Sequence, residues 1–189
     1  MRSKTFFFRT LLFLFLIAGL TALINIPIPQ AADLTLNNTP ANVCFSPNGG
    51  CTSAIVNQID NAKSEILIQA YSFTSTPIAK ALVNAHKRGI HIEIILDKSN
   101  KSEKYSAGDF IAHMGVTTYI DSRHAIAHNK IIIIDKETVI TGSFNFTKAA
   151  EEKNAENLLI LKSKELASQY LMNWTKHKNH SDSYSGREE

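Results

Sequence analysis

Four consecutive isoleucines, Ile131 to Ile134, constrain this chain more than any other feature. Successive residues of a strand point to opposite faces of its sheet, so an unbroken β-branched run is expected of a strand buried on both. Such a strand needs a covering layer on each side. Around it, short β-branched runs alternate with helical patterns, which marks an α/β protein. The fold expected is a mixed β-sheet flanked by helices on both faces.

The boundaries follow from local signals. Val43 to Phe45 reads as a short strand, and Thr52 or Ser53 can cap a helix reaching about Ala62. Glu65 to Tyr71 is the next strand. Thr76 before Pro77 is an N-cap with proline at the first helical position, and Gly89 stops that helix after His86-Lys87-Arg88. His91 to Asp97 is a strand, Glu103 to Met114 a helix ended by Gly115, and Val116 to Ile120 a strand. Three more strands are expected at about 128–135, 138–142 and 157–161, then a helix from Ser163 to His177. The polar tail after Lys178 reads as loose. No internal repeat or linker interrupts residues 33–189, which form a single domain.

Residues 1–32 differ in kind. Arg2, Lys4 and Arg9 precede an apolar run from Thr10 to Ile26, and no acidic residue occurs before Asp33. This reads as a secretory signal cleaved near Ala31 or Ala32. The alternative is an uncleaved membrane anchor over residues 10–26. The chain holds twenty basic and seventeen acidic residues. Without the leader's three basic residues, seventeen of each remain, so net charge gives no support for a nucleic-acid partner. In an oxidising, periplasmic or secreted setting, Cys44 and Cys51 can form a local disulfide around Pro47-Asn48-Gly49-Gly50. Two buried thiols are the alternative. No metal signature accompanies the pair.

The chemistry-bearing segment surrounds the isoleucine run: His128-Asn129-Lys130, Ile131 to Ile134, Asp135, then Gly142-Ser143-Phe144-Asn145. Residues two apart share a strand face, so the His128 imidazole and the Lys130 ammonium are aimed at one spot. The next strand returns to Gly142-Ser143 and can deliver Ser143 and Asn145 to the same place. Lysine, serine and asparagine together can donate to the oxygens of one phosphate without a metal or other cofactor. The imidazole is then left for covalent or proton-transfer work. Asp135 has the opposite parity from His128, and both a structural and a direct role stay open.

These residues fit the H-x-K-x4-D-x6-G-S-x-N signature, and the chain resembles the phospholipase D superfamily at every fixed position. Gln69 to Thr74, Arg88-Gly89 before a strand ending in Asp97, and Asn154-Ala155-Glu156-Asn157 resemble the small single-motif (Nuc-like) bacterial endonucleases of that superfamily. The resemblance runs from about Val43 to Trp174. It implies that His128 forms a phosphohistidine or protonates the leaving oxygen, that Lys130 and Asn145 bind the phosphate with Ser143 in support, and that Glu156 accepts a hydrogen bond from His128. It also implies a homodimer with one shared active site, because the chain supplies a single His-x-Lys.

His124, four residues before His128, and Ser72, Phe73 and Thr74 at a strand end are further candidates for contacting substrate. The other histidines read as surface or core imidazoles, and His177 with Lys176 and Lys178 as a solvated helix face. The function expected is a metal-independent phosphodiesterase, an exported endonuclease acting on DNA or RNA. The alternative is a lipid phosphodiesterase, associated with a membrane if the leader is retained.

Overall fold

In the computed structural model, which describes residues 31–103 and 106–187, eight strands join in one mixed sheet. They are β1 (Ala41–Ser46), β2 (Glu65–Ala70), β3 (His91–Asp97), β4 (Thr117–Asp121), β5 (Lys130–Ile134), β6 (Thr138–Gly142), β7 (Glu156–Lys162) and β8 (Asp182–Tyr184). Their spatial order is β1-β7-β6-β5-β2-β3-β4-β8. β2, β3 and β4 run parallel, and every other neighbouring pair is antiparallel. All eight belong to one compact unit, Leu34–Glu189. The leader or anchor expected over residues 10–26 lies outside the described residues. No helix among those described is long and apolar enough to cross a membrane.

Among the described residues five helices cover this sheet: α1 (Cys51–Asp60), α2 (Thr76–Lys87), α3 (Ala107–His113), α4 (Lys148–Glu152) and α5 (Lys164–Lys178). All four isoleucines of β5 are buried, and their alternation divides them between two cores. Ile132 and Ile134 join the apolar sides of α1, α2 and α3. Ile131 and Ile133 pack with Ala167 and Trp174 of α5 on the opposite face. Trp174 Nε1 also donates to the Ile68 carbonyl of β2 at 3.0 Å. The result is the helix-flanked mixed sheet expected from the sequence.

Several local expectations change. The first helix begins at Cys51, and its N-cap, Gly50, makes no side-chain cap. Glu151 of α4 does that work from afar, accepting from the Gly50 N–H at 2.9 Å and the Thr52 N–H at 2.7 Å. Cys44 and Cys51 are joined by a disulfide with Cα atoms 5.7 Å apart, tying β1 to this helix start. The helix expected from Glu103 begins only at Ala107, where Ser106 caps it by accepting from the Gly108 N–H. A 3-10 turn, Lys98–Lys101, precedes it. The tail is not loose: β8 pairs with β4, and Tyr184 and Arg187 both bind the Asp109 carboxylate. Partial burial and then the hydrogen bond to Asp109 push the Tyr184 hydroxyl up to about 12.

Asp135 ends β5 at the opposite end from His128. With Lys136 it forms a two-residue hairpin turn, both at φ near +50° (53° and 54°), closed by the Glu137 N–H to the Ile134 carbonyl at 3.0 Å. Consecutive left-handed residues characterise the hairpin turn whose twist matches its strands, and aspartate tolerates that conformation. The carboxylate accepts from the N–H groups of Lys63 (2.9 Å), Ser64 (2.8 Å) and Glu65 (3.1 Å), and from the Ser64 hydroxyl at 2.9 Å. Asp135 therefore pins β5 to the start of β2 and does not reach the phosphate chemistry. Its placement resolves the open choice in favour of structure.

Partial burial alone would raise the Asp135 pKa, but the donors from Glu65, Lys63 and Ser64 outweigh it and hold the carboxyl below its usual range. A depressed native pKa stabilises the fold above the unfolded-state value, and that contribution fades as pH falls through the native value. Asp135→Ala should lower the unfolding free energy by about 1–3 kcal/mol at neutral pH. The gap to wild type should narrow on acidification. Urea unfolding across a pH series measures both, and a pH-independent gap would contradict this role.

Candidate active site

The register of β5 against β2 decides where the signature residues lie. Lys130 pairs with Ala70, the last residue of β2, and the Tyr71 N–H donates to the Asn129 carbonyl at 2.9 Å. On its other edge β2 pairs in parallel with β3. The site thus sits at the C-terminal ends of the parallel strands, where antiparallel pairing takes over. Open α/β sheets leave their ligand crevices at such ends. His128 stands exposed just outside the strand, whereas Lys130 is only 7% exposed.

Lys130 Nζ donates to the His128 carbonyl at 2.9 Å and lies 5.1 Å from the centre of the Tyr71 ring. The same tyrosine packs against the His128 ring at 4.6 Å, tilted by 52°. Tyr71 thereby supports both the imidazole and the cation. Burial pushes the Lys130 pKa down, and attraction to Glu156 offsets this only in part. A cation stripped of water in this way gains from any anion brought beside it.

Gly142 allows β6 to close on the start of β7. A Cβ there would lie 2.3 Å from the Asn157 carbonyl oxygen, and φ is +148°. That carbonyl accepts from the N–H groups of Ser143 at 3.1 Å and Phe144 at 3.2 Å. Ser143 Oγ donates to Glu156 Oε2 at 2.6 Å and accepts from the Asn157 N–H at 3.0 Å. With its proton committed, Ser143 holds the carboxylate and does not aim a donor into the cleft. Asn154 Nδ2 binds the other Glu156 oxygen at 3.1 Å. The hydrogen bond expected between Glu156 and His128 is therefore not made within the chain; the charge of Glu156 acts on Lys130 instead. Asn145 Oδ1 is buried with no partner among the described residues.

His128, Lys130 and Gly142 border an open cleft of about 380 Å³, which Ser143, Asn145 and Glu156 do not line. His128, Asn129, Lys130, Thr141 and Gly142 form one side, and Gln169, Tyr170 and Asn173 of α5 form the other. Sequence reasoning missed the α5 wall. Its signal was present, since positions 169, 170 and 173 are neighbours on one helical stripe beside the buried Ala167 and Trp174. A cation beside an exposed imidazole at the edge of this cleft can receive a phosphate and attack its phosphorus.

Other candidates are not gathered here. Phe73 is fully buried and packs edge-on to Phe146 at 6.1 Å, so it belongs to the core and not the cleft. Ser72 and Thr74, half-buried, flank it, and the Thr74 N–H is taken by the Phe146 carbonyl at 3.0 Å. His124 turns its Nδ1 to Asp121 Oδ2, 3.0 Å away, not to the phosphate cleft. His177 and His180 converge on the same carboxylate. They are thus neither isolated nor part of a purely solvated face, as the sequence had suggested.

Comparison with known proteins agrees with this geometry. A family profile described as "Cardiolipin synthase, PLD-like domain" matches residues 55–177. A phospholipase D from Rickettsia conorii is 47% identical over 143 residues, covering 76% of this chain and 72% of the relative. The crystal structure of the phospholipase D family member Nuc from Salmonella typhimurium superposes with a TM-score of 0.75 at 41% identity, covering 77% of this chain and 98% of that one. NucT from Helicobacter pylori shares the fold, with a TM-score of 0.72 at 24% identity over 77% of this chain and 99% of its own. The matching family profile, the 47% identical relative and a complete His-x-Lys signature lead to one assignment: the chain belongs to the phospholipase D superfamily and is one of its phosphodiesterases.

Proposed function

We propose that this phosphodiesterase is a nuclease that cleaves DNA or RNA through a phosphohistidine at His128, acting as a homodimer. The observation that carries this reading is an exposed His128 beside a buried Lys130 in a cleft that stays open to solvent. The segments flanking it on the sheet side are short: residues 122–129 lead into β5 and residues 143–147 lead out of β6. A polymer backbone needs an open groove, whereas a lipid headgroup is usually held in an enclosed pocket. Similarity to Nuc over nearly its whole length supports the same reading.

In this mechanism His128 attacks phosphorus, forming the P–N bond as the P–O bond to the leaving nucleotide breaks. A second imidazole donates its proton to the departing oxygen. It then takes a proton from the water that displaces His128 and restores the free enzyme. Lys130 and Asn145 bind the non-bridging oxygens, with no metal ion at the reacting phosphate. Ser143 positions Glu156, which steadies Lys130. One chain supplies one His-x-Lys, so the second imidazole is His128 of another copy, related by a twofold axis.

A second reading, a lipid phosphodiesterase, rests on the name of the Rickettsia conorii relative. Purified protein should cleave single- or double-stranded nucleic acid in excess chelator and release little headgroup from phospholipid vesicles. Headgroup release without nucleic-acid cleavage would select the lipid reading, and an absolute need for added magnesium would overturn the chemistry proposed here.

The dimer has its own test. His128→Ala chains co-folded with wild type should give heterodimers with almost no turnover, because each site needs both imidazoles. Heterodimers at half the wild-type rate, or a fully active monomer, would place the second histidine elsewhere in the chain.

We also propose that residues 1–32 direct export, with anchoring by residues 10–26 as the alternative; the basic, then apolar leader and the Cys44–Cys51 bond favour an oxidising destination. The mature mass should show loss of the leader near Ala31 or Ala32. An intact N-terminus in the membrane fraction would favour the anchor.

A further inference from the structure

Away from the cleft, two short spacings in the sequence converge: Asp121-x-x-His124 and His177-x-x-His180. None of the four residues lines the phosphate cleft. Asp121 is the last residue of β4, and His177 lies in the last turn of α5. His180 follows the helix end, where the Ser181 hydroxyl turns back to the His177 carbonyl at 2.8 Å. The chain then enters β8, whose pairing sets Asp182 opposite Ile120. Tertiary structure thus brings both spacings to one sheet edge.

The donor atoms face one another. Asp121 is fully buried, and its Oδ2 lies 2.7 Å from His177 Nδ1, 3.0 Å from His124 Nδ1 and 3.3 Å from His180 Nε2. All four donor atoms fall within 4.8 Å of one another. The three rings stack obliquely, with centroids 4.8 to 5.3 Å apart. The His177 and His180 side chains are 13% exposed, against 43% for His124.

Hydrogen bonding alone accounts poorly for this convergence. Oδ2 has two in-plane lone pairs but three ring nitrogens around it, and Oδ1, 3.1 Å from His124 Nδ1, is already shared with the Arg123 N–H at 3.1 Å. Three imidazolium ions at these separations would repel, and one carboxylate balances only one of them. The nearby charges add no compensation. Lys98 Nζ binds the His124 carbonyl, and Lys178 is paired with Glu93. A divalent cation relieves each difficulty, because it takes the lone pairs of neutral imidazoles and the carboxylate charge together.

We propose that Asp121, His124, His177 and His180 form a four-coordinate transition-metal site, suited to zinc, that fastens the end of α5 to the loop leading into His128. Three nitrogens and one carboxylate oxygen are a donor set for zinc, which binds both at about 2.0–2.2 Å in tetrahedral geometry. Bonds of that length place ligand atoms about 3.4 Å apart. The nitrogen-to-Oδ2 separations already lie near or below this edge, and the rings must close the wider gaps among themselves. With four protein ligands the site is closed, so its role is structural. The half-exposed His124 gives the ion a way in.

The consequence reaches the active site through geometry. Residues 122–127 span the interval between Asp121 and His128, and the Ala127 N–H is already held by Asp97 Oδ2 at 2.7 Å. Helix α5 forms one wall of the cleft. Metal binding would hold the nucleophile's loop and that wall at a fixed separation.

The test uses protein purified without a polyhistidine tag, stripped with chelator and dialysed. Zinc titration against a chromophoric competitor should show one tight site per chain and a rise in Tm, and cobalt(II) should give the intense visible absorption of a four-coordinate ion. The His180→Ala and His124→Ala/His180→Ala variants should each bind zinc at least tenfold more weakly and lose the cobalt band. Asp121→Asn, which keeps the side-chain shape, should weaken binding even if the alanine variants fold poorly. Absence of stoichiometric zinc binding by the wild type, or unchanged zinc affinity in the double variant, overturns the site. None of these readouts uses a substrate, so the outcome is independent of whether the enzyme is a nuclease.

Discussion

The structure depends on removing β5 from water on both faces while leaving its first residue at the edge of the dry region. Ile131 to Ile134 are divided between the two cores, so neither helix layer can be lost without exposing half of the run. Truncating one such side chain typically costs about 2–5 kcal/mol. The pairing of Lys130 with Ala70 sets how far the strand extends, and the Asp135 turn pins its other end. A slip of one residue would turn Lys130 and every isoleucine to the opposite faces of the sheet. Register is therefore strongly specified, and the position of the cation with it.

That placement accounts for the electrostatics of the cleft. Lys130 is buried enough for its charged form to be penalised, yet it is not isolated: the His128 carbonyl, the face of Tyr71 and the field of Glu156 surround it. Glu156 is in turn held by Ser143 and Asn154. Each polar group is oriented by the next, so little reorganisation is needed when an anion arrives, which is how preorganised sites stabilise developing charge. Gly142 makes the arrangement possible, since a side chain there would occupy the space of the Asn157 carbonyl.

The C-terminal segment contributes more than a cover. α5 fills the second core with Ala167 and Trp174, presents Gln169, Tyr170 and Asn173 to the cleft, and ends in histidines that meet the loop before His128. β8 then closes the outer edge of β4 and is itself fixed through Asp109. Core, cleft and outer sheet edge thus share one helix. A disturbance at the end of α5 has a short path to the nucleophile.

Much of this was legible in the chain, and the reasons are local. The isoleucine run, the glycines after α2 and α3, and Ser163 before α5 act over a few residues, so they specify strands, helix ends and an α/β sandwich without knowledge of distant partners. The His128-x-Lys130 spacing likewise pairs the two residues at one strand start, although His128 itself lies just outside β5. Tertiary structure decided what depends on residues far apart in sequence. Glu151 replaces the local cap of α1, Phe73 enters the core against Phe146, and Glu156 bonds Ser143 instead of His128. β8 is too short and polar to signal itself, and it forms because β4 leaves an edge to be paired. Asp121 and His177 stand 56 positions apart. Only the folding of α5 back along the sheet makes them neighbours, because local periodicity carries no information about which distant element will arrive.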